Sequence, residues 1–253
     1  MNTSLIRNLS RQWGLVRSLI IYYAQPWRRV QARRFYTRYI RRGDLCFDVG
    51  AHVGSRLSLW AGMGARVVAL EPLPHCMALL RRLYGGRPNV VLVEAAAGTE
   101  PGHATIHLDP TNPTIATLSQ QWIAAVQRRA DFAHVTWDEA IDVPVITLDS
   151  LIAQHGVPVF CKIDVEGFEH AVLQGLSQPI PMLSLEYTPA DIPSSLACID
   201  RLCELGDYAF NWSTGEGQHL HETQWLSAAE MRAILEKMHM DDPSGDFYAR
   251  LRT

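Results

Sequence analysis

Ten residues, LCFDVGAHVG at 45–54, restrict what this chain can fold into more than any other stretch. Leu45, Cys46 and Phe47 predict a short buried strand, Asp48 ends it, and glycines at 50 and 54 predict a turn into a helix. A strand that passes through a glycine turn into a helix N-terminus is how α/β sheets hold nucleotide-like ligands, since a side chain on the turn keeps the backbone away. About twenty residues on, where such folds place a carboxylate for a ribose diol, the apolar run Arg66 to Leu70 ends in Glu71.

The same rhythm recurs. Val90 to Val93 predicts a third strand, running into Glu94-Ala95-Ala96, and Val143 to Thr147 resumes the alternation. Val159 to Ile163 ends in Asp164, and Met182 to Leu185 ends in Glu186. Strands at Tyr208 to Asn211 and Phe247 to Arg250 close the pattern. Helical spacing fills the gaps, as in Leu73, Met77, Leu80 and Tyr84, so parallel βαβ units with right-handed crossovers are expected. Glu166 and Glu169 begin a helix in this reading, and Asp149 caps another. Residues 99–145 break the rhythm: Ala104 to Leu108 alternates like an edge strand, and 109–139 reads as a long polar loop. An insertion of that length at about 109–140 is where binding function concentrates.

With 253 residues and 47% hydrophobic content, the chain can bury one core, which places a single domain at 44–253 behind an arm at 1–43. That arm holds ten arginines and no acid, leaving 13 positive against 26 negative charges elsewhere. Phe35 and Tyr39, like Tyr36 and Ile40, are four apart, so the arm is read as basic helices, separated at Pro26, that pack on the acidic body. Membrane contact is expected to be peripheral at most. The run Leu19 to Ala24 is too short to span a bilayer, and five cysteines without a C-x-x-C pair suggest reduced thiols, so a soluble cytoplasmic protein is expected.

Asp48, Glu71, Asp164 and Glu186 end four core strands, and strand ends of a parallel sheet converge on the ligand crevice. Buried carboxylates need partners, so four on one rim suit a cationic, hydroxyl-bearing ligand. S-adenosylmethionine meets that description, with a ribose for Glu71, adenine for Ala95-Ala96, and a sulfonium and ammonium for the acids near Asp48 and Asp164.

DVGAHVG, ALEP, TLDSL and above all KIDVEGFE (162–169) resemble the FkbM family of S-adenosylmethionine-dependent methyltransferases, in order from about Gly43 to Arg250. The resemblance implies a class I methyltransferase (Rossmann-like) α/β fold: a seven-stranded, mostly parallel sheet with one strand reversed near the end and helices on both faces. It implies methyl transfer to a hydroxyl of a sugar, glycan or natural product. By position, Asp48, Gly50 and Gly54 line the methionine end, Glu71 with Pro72 after it takes the ribose, Glu94, Ala95 and Ala96 flank adenine, and Asp164 lies near the methyl. His52 stands where the family often has Asn, and an imidazole can hydrogen-bond there too.

An alcohol is a poor nucleophile, so a base or metal should help remove its proton. Asp164 is the first candidate and Glu186 the second, with Lys162 orienting the site or paired with Glu166. No tight ligand spacing supports a metal site, and none is assigned. Trp122 and Trp137 either stack on a sugar or form the insertion's own core, and 112–118 is placed over the acceptor. A nicotinamide-dependent oxidoreductase is disfavoured because Ala51 and His52 replace its glycine pattern. An inactive partner-binding scaffold has no need of the intact acid rim. Nucleic acid is not expected as a partner, given the acidic body and no aromatic Asn/Asp-Pro-Pro pocket.

Overall fold

A computed structural model describes residues 26–109, 112–215 and 219–252. The helix expected before Pro26, and the run Leu19 to Ala24, lie outside them.

The chain enters through α1 (Pro26–Tyr36) and then alternates: β1 (Leu45–Val49), α2 (Ser55–Gly62), β2 (Arg66–Leu70), α3 (Pro74–Tyr84) and β3 (Val90–Val93). After an intervening unit come α5 (Leu148–His155), β8 (Phe160–Ile163), α6 (Glu169–Gln174), β9 (Met182–Tyr187), α7 (Ile192–Leu205), β10 (Tyr208–Thr214), α8 (Ala228–Leu235) and β11 (Gly245–Leu251). Seven strands form one sheet in the order β10-β11-β9-β8-β1-β2-β3. Neighbours from β3 to β9 run parallel, while β11 is antiparallel to both β9 and β10. This is the expected seven-stranded, mostly parallel sheet with its reversed strand near the end.

The order turns outward in both directions from the β1/β8 pair. That switch point opens a crevice at the carboxyl edge, where β1 delivers its glycine turn. Both faces of the sheet are covered. Phe47, Val49, Cys161, Ile163 and Leu183 belong to the core under α5 to α8, and Cys46, Val67, Ala69 and Phe160 to that under α1 to α3. The described part of the basic arm docks in the second core. Phe35 and Tyr36 are buried, and Tyr36 meets Trp60 and Phe160 edge-on at 5.3 and 5.5 Å.

The intervening unit keeps the strand expected at Ala104 to Leu108 and corrects the loop expected at 109–139. Residues 96–146 build a second sheet, β4 (Ala96–Ala97), β7 (Glu139–Ile146), β5 (Gly102–Asp109) and β6 (Asn112–Thr117), in that spatial order. Helix α4 (Gln120–Val126) follows β6. β5 and β7 pair antiparallel from Gly102↔Val145 to Leu108↔Glu139, so Val143 to Thr147 does not resume the main alternation. Ile106, Leu108, Val143 and Val145 pack on Leu73, Cys76 and Ala96, while the alternate polar residues face outward. β6 and α4 are the part that reads as loop: both are short, and β6 opens with Asn112-Pro113, a turn signal.

Two local starts also differ. α6 begins at Glu169 rather than Glu166, because Glu166 (φ 54°) and Gly167 (φ 84°) are left-handed and cannot join a right-handed helix. The Glu169 carboxylate turns back instead and accepts from Val165 N at 2.9 Å. α5 is capped by the Thr147 hydroxyl, which accepts from Ser150 N at 3.1 Å, while Asp149 accepts from Ser177 N.

Gly50 is the tightest point of the β1 turn. Its φ is +84°, and an added Cβ would sit 1.9 Å from the Asp164 backbone oxygen. Gly50→Ala should therefore destabilise the fold by roughly 2–4 kcal/mol through left-handed strain and overpacking. Chemical denaturation measures it, and a loss below about 0.5 kcal/mol, the range of ordinary surface changes, would contradict the close packing of β1 on β8.

Candidate active site

A cavity of about 750 Å³ opens at the carboxyl edge between the β1 turn, the end of β2, β4, β6 and the end of β8. Of the residues expected to hold a cofactor, Gly50, His52, Glu71, Pro72, Ala95, Ala96 and Asp164 line it. Asp48 and Gly54 do not. Asp48 is buried behind the turn, where its carboxylate accepts from Leu57 N at 2.9 Å and so fixes the start of α2. Burial, opposed mainly by Arg56, pushes its pKa up to about 6. Gly54 faces Leu80 and Tyr84 instead of the cavity. Glu94 also lies outside the lining. Its carboxylate turns to Arg81 Nη1 at 2.7 Å, because β3 is an edge strand and the residue after it meets solvent and the end of α3. Leu73, Ile106 and Leu118 join Ala95 and Ala96 as the apolar part of the wall.

Glu71 is held by two backbone donors, His52 N at 2.7 Å and Leu73 N at 2.8 Å. His52 reaches it in a left-handed conformation, φ 48°. Each carboxylate oxygen keeps a further lone pair, so a diol can still bind. Burial raises the Glu71 pKa to about 7, against those two bonds. The acid thus keeps its proton below that pH and is a charged, stronger acceptor above it. S-adenosylhomocysteine should consequently bind several-fold more tightly at pH 8 than at pH 6, and Glu71→Gln should flatten the difference. A flat profile in the unaltered protein would contradict titration of Glu71 near pH 7 against the ribose.

Behind Asp164 lies a buried ionic cluster. Lys162, one of only two lysines in the chain, is 2% exposed and places Nζ 2.5 Å from Asp246 Oδ1 and 3.3 Å from Asp164 Oδ2. Its partners are therefore these two aspartates. Burial alone would lower its pKa, yet Asp164, Asp246 and Glu186 hold it well above the usual range. Burial likewise works against Asp164, but Lys162, Arg56 and a bond from Glu186 hold it below the ordinary carboxylate range. Glu186 goes the other way: burial, then Glu166 and Asp164, push it well above the usual carboxylate range. The Asp164 side chain remains 36% exposed, on the cavity side. Two carboxyls pushed in opposite directions thus stand side by side.

Asp246 was not foreseen. It lies in β11 opposite Glu186, and the available signal was an acid inside the apolar strand GDFYARL, which burial makes costly without a cation. Nor did spacing in sequence reveal that Asp164, Glu166 and Glu186 each bring an oxygen within 4.8 Å of the others, a grouping able to hold a cation. Glu186 itself faces a neighbouring pocket of about 200 Å³ with Trp122, Thr188, Asp191 and Ser195.

The insertion covers this region with its own core. Trp122 is buried against Gly167, edge-on to Phe132 at 5.9 Å and to Trp137 at 6.2 Å. Neither tryptophan lines the larger cavity. What the insertion offers there is β6, with Thr114, Ala116 and Thr117, and the Thr117 hydroxyl donates to Glu166 O at 2.6 Å. His221 stacks on Trp212 at 3.8 Å, as a packing residue does.

The cavity's chemistry fits S-adenosylmethionine: a paired carboxylate for a diol, an alanine-lined slot for a purine, and acids at the remaining end for positive charge. A family model described as the methyltransferase FkbM domain matches residues 48–238. No curated protein matches the chain. Among solved structures, it is similar to precorrin-6y C5,15-methyltransferase from Geobacter metallireducens, at 14% identity, 87% and 88% coverage of the two chains and a TM-score of 0.44. It is also similar to a TehB-like SAM-dependent methyltransferase from Corynebacterium glutamicum, at 8% identity, 99% and 100% coverage and a TM-score of 0.46. Aeropyrum pernix fibrillarin, determined with natively bound S-adenosyl-L-methionine, matches at 12% identity, 83% and 68% coverage and a TM-score of 0.40.

Proposed function

Because this chain belongs to the FkbM methyltransferase family, and is thus an S-adenosylmethionine-dependent methyltransferase, we propose that it methylates a hydroxyl of a sugar, glycan or natural product, with Asp164 as the base. The observation that carries this reading is geometric: the Asp164 carboxylate lines the cavity with 36% of its side chain exposed, and Lys162 Nζ stands 3.3 Å behind it.

S-adenosylmethionine supplies a methyl group on a sulfonium, with a neutral thioether as leaving group. The protein's part is to hold the acceptor oxygen in line and to take its proton. A carboxylate of lowered pKa is too weak to ionise a free alcohol. It is strong enough once the carbon–oxygen bond forms, because the attacking oxygen then becomes very acidic. Asp164 serves such a late transfer well. Lys162 keeps Asp164 charged before the reaction, and Glu186 bonds to Asp164 from the side of the neighbouring pocket. Thr188, Asp191 and Ser195 line that pocket with Glu186, and polar side chains so placed suit a polyol acceptor.

Incubation with isotopically labelled S-adenosylmethionine and a panel of glycans and polyketide-type alcohols tests the reading. Mass spectrometry should place the added methyl on an ether oxygen. Transfer to nitrogen, carbon or a carboxylate would overturn it.

A further inference from the structure

We propose that the outer face of α1 is a docking surface for an anionic membrane. Trp27 and Val30 are the two most exposed large hydrophobic side chains among the described residues, at 65% and 53%. They stand three residues apart, and Arg34 follows one further turn along the same stripe. Arg38, just beyond the helix, continues it, and both arginines are exposed. The opposite face of the helix is committed to the core through Ala32, Phe35 and Tyr36. The stripe is therefore held rigidly outward.

Charge selects the partner. Residues 26–43 contain seven arginines and no acid, whereas acids outnumber basic residues two to one beyond residue 43. An anionic surface would attract this face and repel the rest. An indole and a valine side chain beside the arginines favour lipid over nucleic acid, because tryptophan settles at the headgroup level while basic residues meet the phosphates. A groove of about 1060 Å³ runs along the stripe, bordered by Arg34, Arg38 and Trp225, with the Arg250 guanidinium 4.4 Å above the Trp225 ring. It gives a headgroup depth to enter, with Glu222 as the acid along its wall.

The helix direction gives the surface a consequence. Arg29 Nη2 donates to Ser58 Oγ at 2.8 Å, Tyr36 packs on Trp60, and Gly43 N donates to Gly64 O. α1 therefore runs alongside α2, which starts at the carboxyl edge of the sheet. Trp27 therefore stands at the end of the stripe nearer the edge where the cofactor cavity opens.

Sedimentation with phosphatidylcholine vesicles, with and without about a quarter phosphatidylglycerol, tests the proposal without an acceptor. The full chain should bind the anionic vesicles, release at high salt, and ignore pure phosphatidylcholine. Arg34→Gln with Arg38→Gln should lower partitioning about 25-fold, since each basic residue near such a surface contributes roughly fivefold. Trp27→Ala should lower it several-fold, and both variants should keep unaltered S-adenosylhomocysteine binding as proof of folding. No binding at low salt, equal binding to both vesicle types, or wild-type partitioning of the arginine variant would overturn it. So would salt-sensitive RNA binding in a protein that leaves the vesicles alone.

Discussion

Asp164→Asn should lower turnover by roughly 10²–10⁴-fold while S-adenosylhomocysteine affinity stays within a few-fold of the parent. The amide keeps the shape of the carboxylate but cannot accept the hydroxyl proton. Asp164 lines the cavity with 36% of its side chain exposed, so the change is felt by the acceptor rather than by packing. Lys162 loses one of two anionic neighbours and keeps Asp246 at 2.5 Å, so the fold should survive. Asp164→Glu is the companion variant: a displaced carboxylate should recover part of the rate. Single-turnover kinetics separate chemistry from binding, and near-normal turnover in Asp164→Asn would remove this residue from the mechanism.

Lys162→Met carries the second large effect, on stability: a loss of about 3–5 kcal/mol. The methionine fills the space, but Asp246 is then buried without its cation, and Asp164 and Glu186 lose the charge that balances them. For a protein of this size each kcal/mol moves the melting temperature by roughly 2–4 °C, so the transition should fall by about 10 °C. Pairing Lys162→Met with Asp246→Asn should restore part of the loss, because the orphaned charge is gone. Calorimetric melting of the four proteins completes the cycle. Additive losses would mean that Lys162 and Asp246 do not act on each other.

The strand-and-acid rhythm made the main sheet legible because its strands are short and apolar, and the central β1, β8 and β9 are buried on both faces. KIDVEGFE added the family, since its resemblance rests on eight consecutive residues. Three features stayed hidden for physical reasons. In the second sheet β6 reads as loop because it is six residues long and opens with Asn112-Pro113, a turn signal. Glu94 follows the same motif as Glu71, but sits after an edge strand, where solvent and Arg81 are closer than the cavity. Asp246 reaches Lys162 from 84 positions away, and pairing across a sheet leaves no mark in local spacing. The insertion's tryptophans show the converse limit: their chemistry suits a sugar platform, yet Trp122 is consumed by Gly167 and Phe132.

The central claim is that the β1 turn and Glu71 hold an S-adenosylmethionine-type ligand. Isothermal titration of the purified protein with S-adenosylhomocysteine, and separately with NAD, tests it most directly. Saturable one-to-one binding of S-adenosylhomocysteine, weakened at least about tenfold by Glu71→Ala through loss of charged hydrogen bonds to the ribose, is the predicted result, with no heat from NAD. Binding of NAD without S-adenosylhomocysteine, or S-adenosylhomocysteine binding indifferent to Glu71, would contradict it.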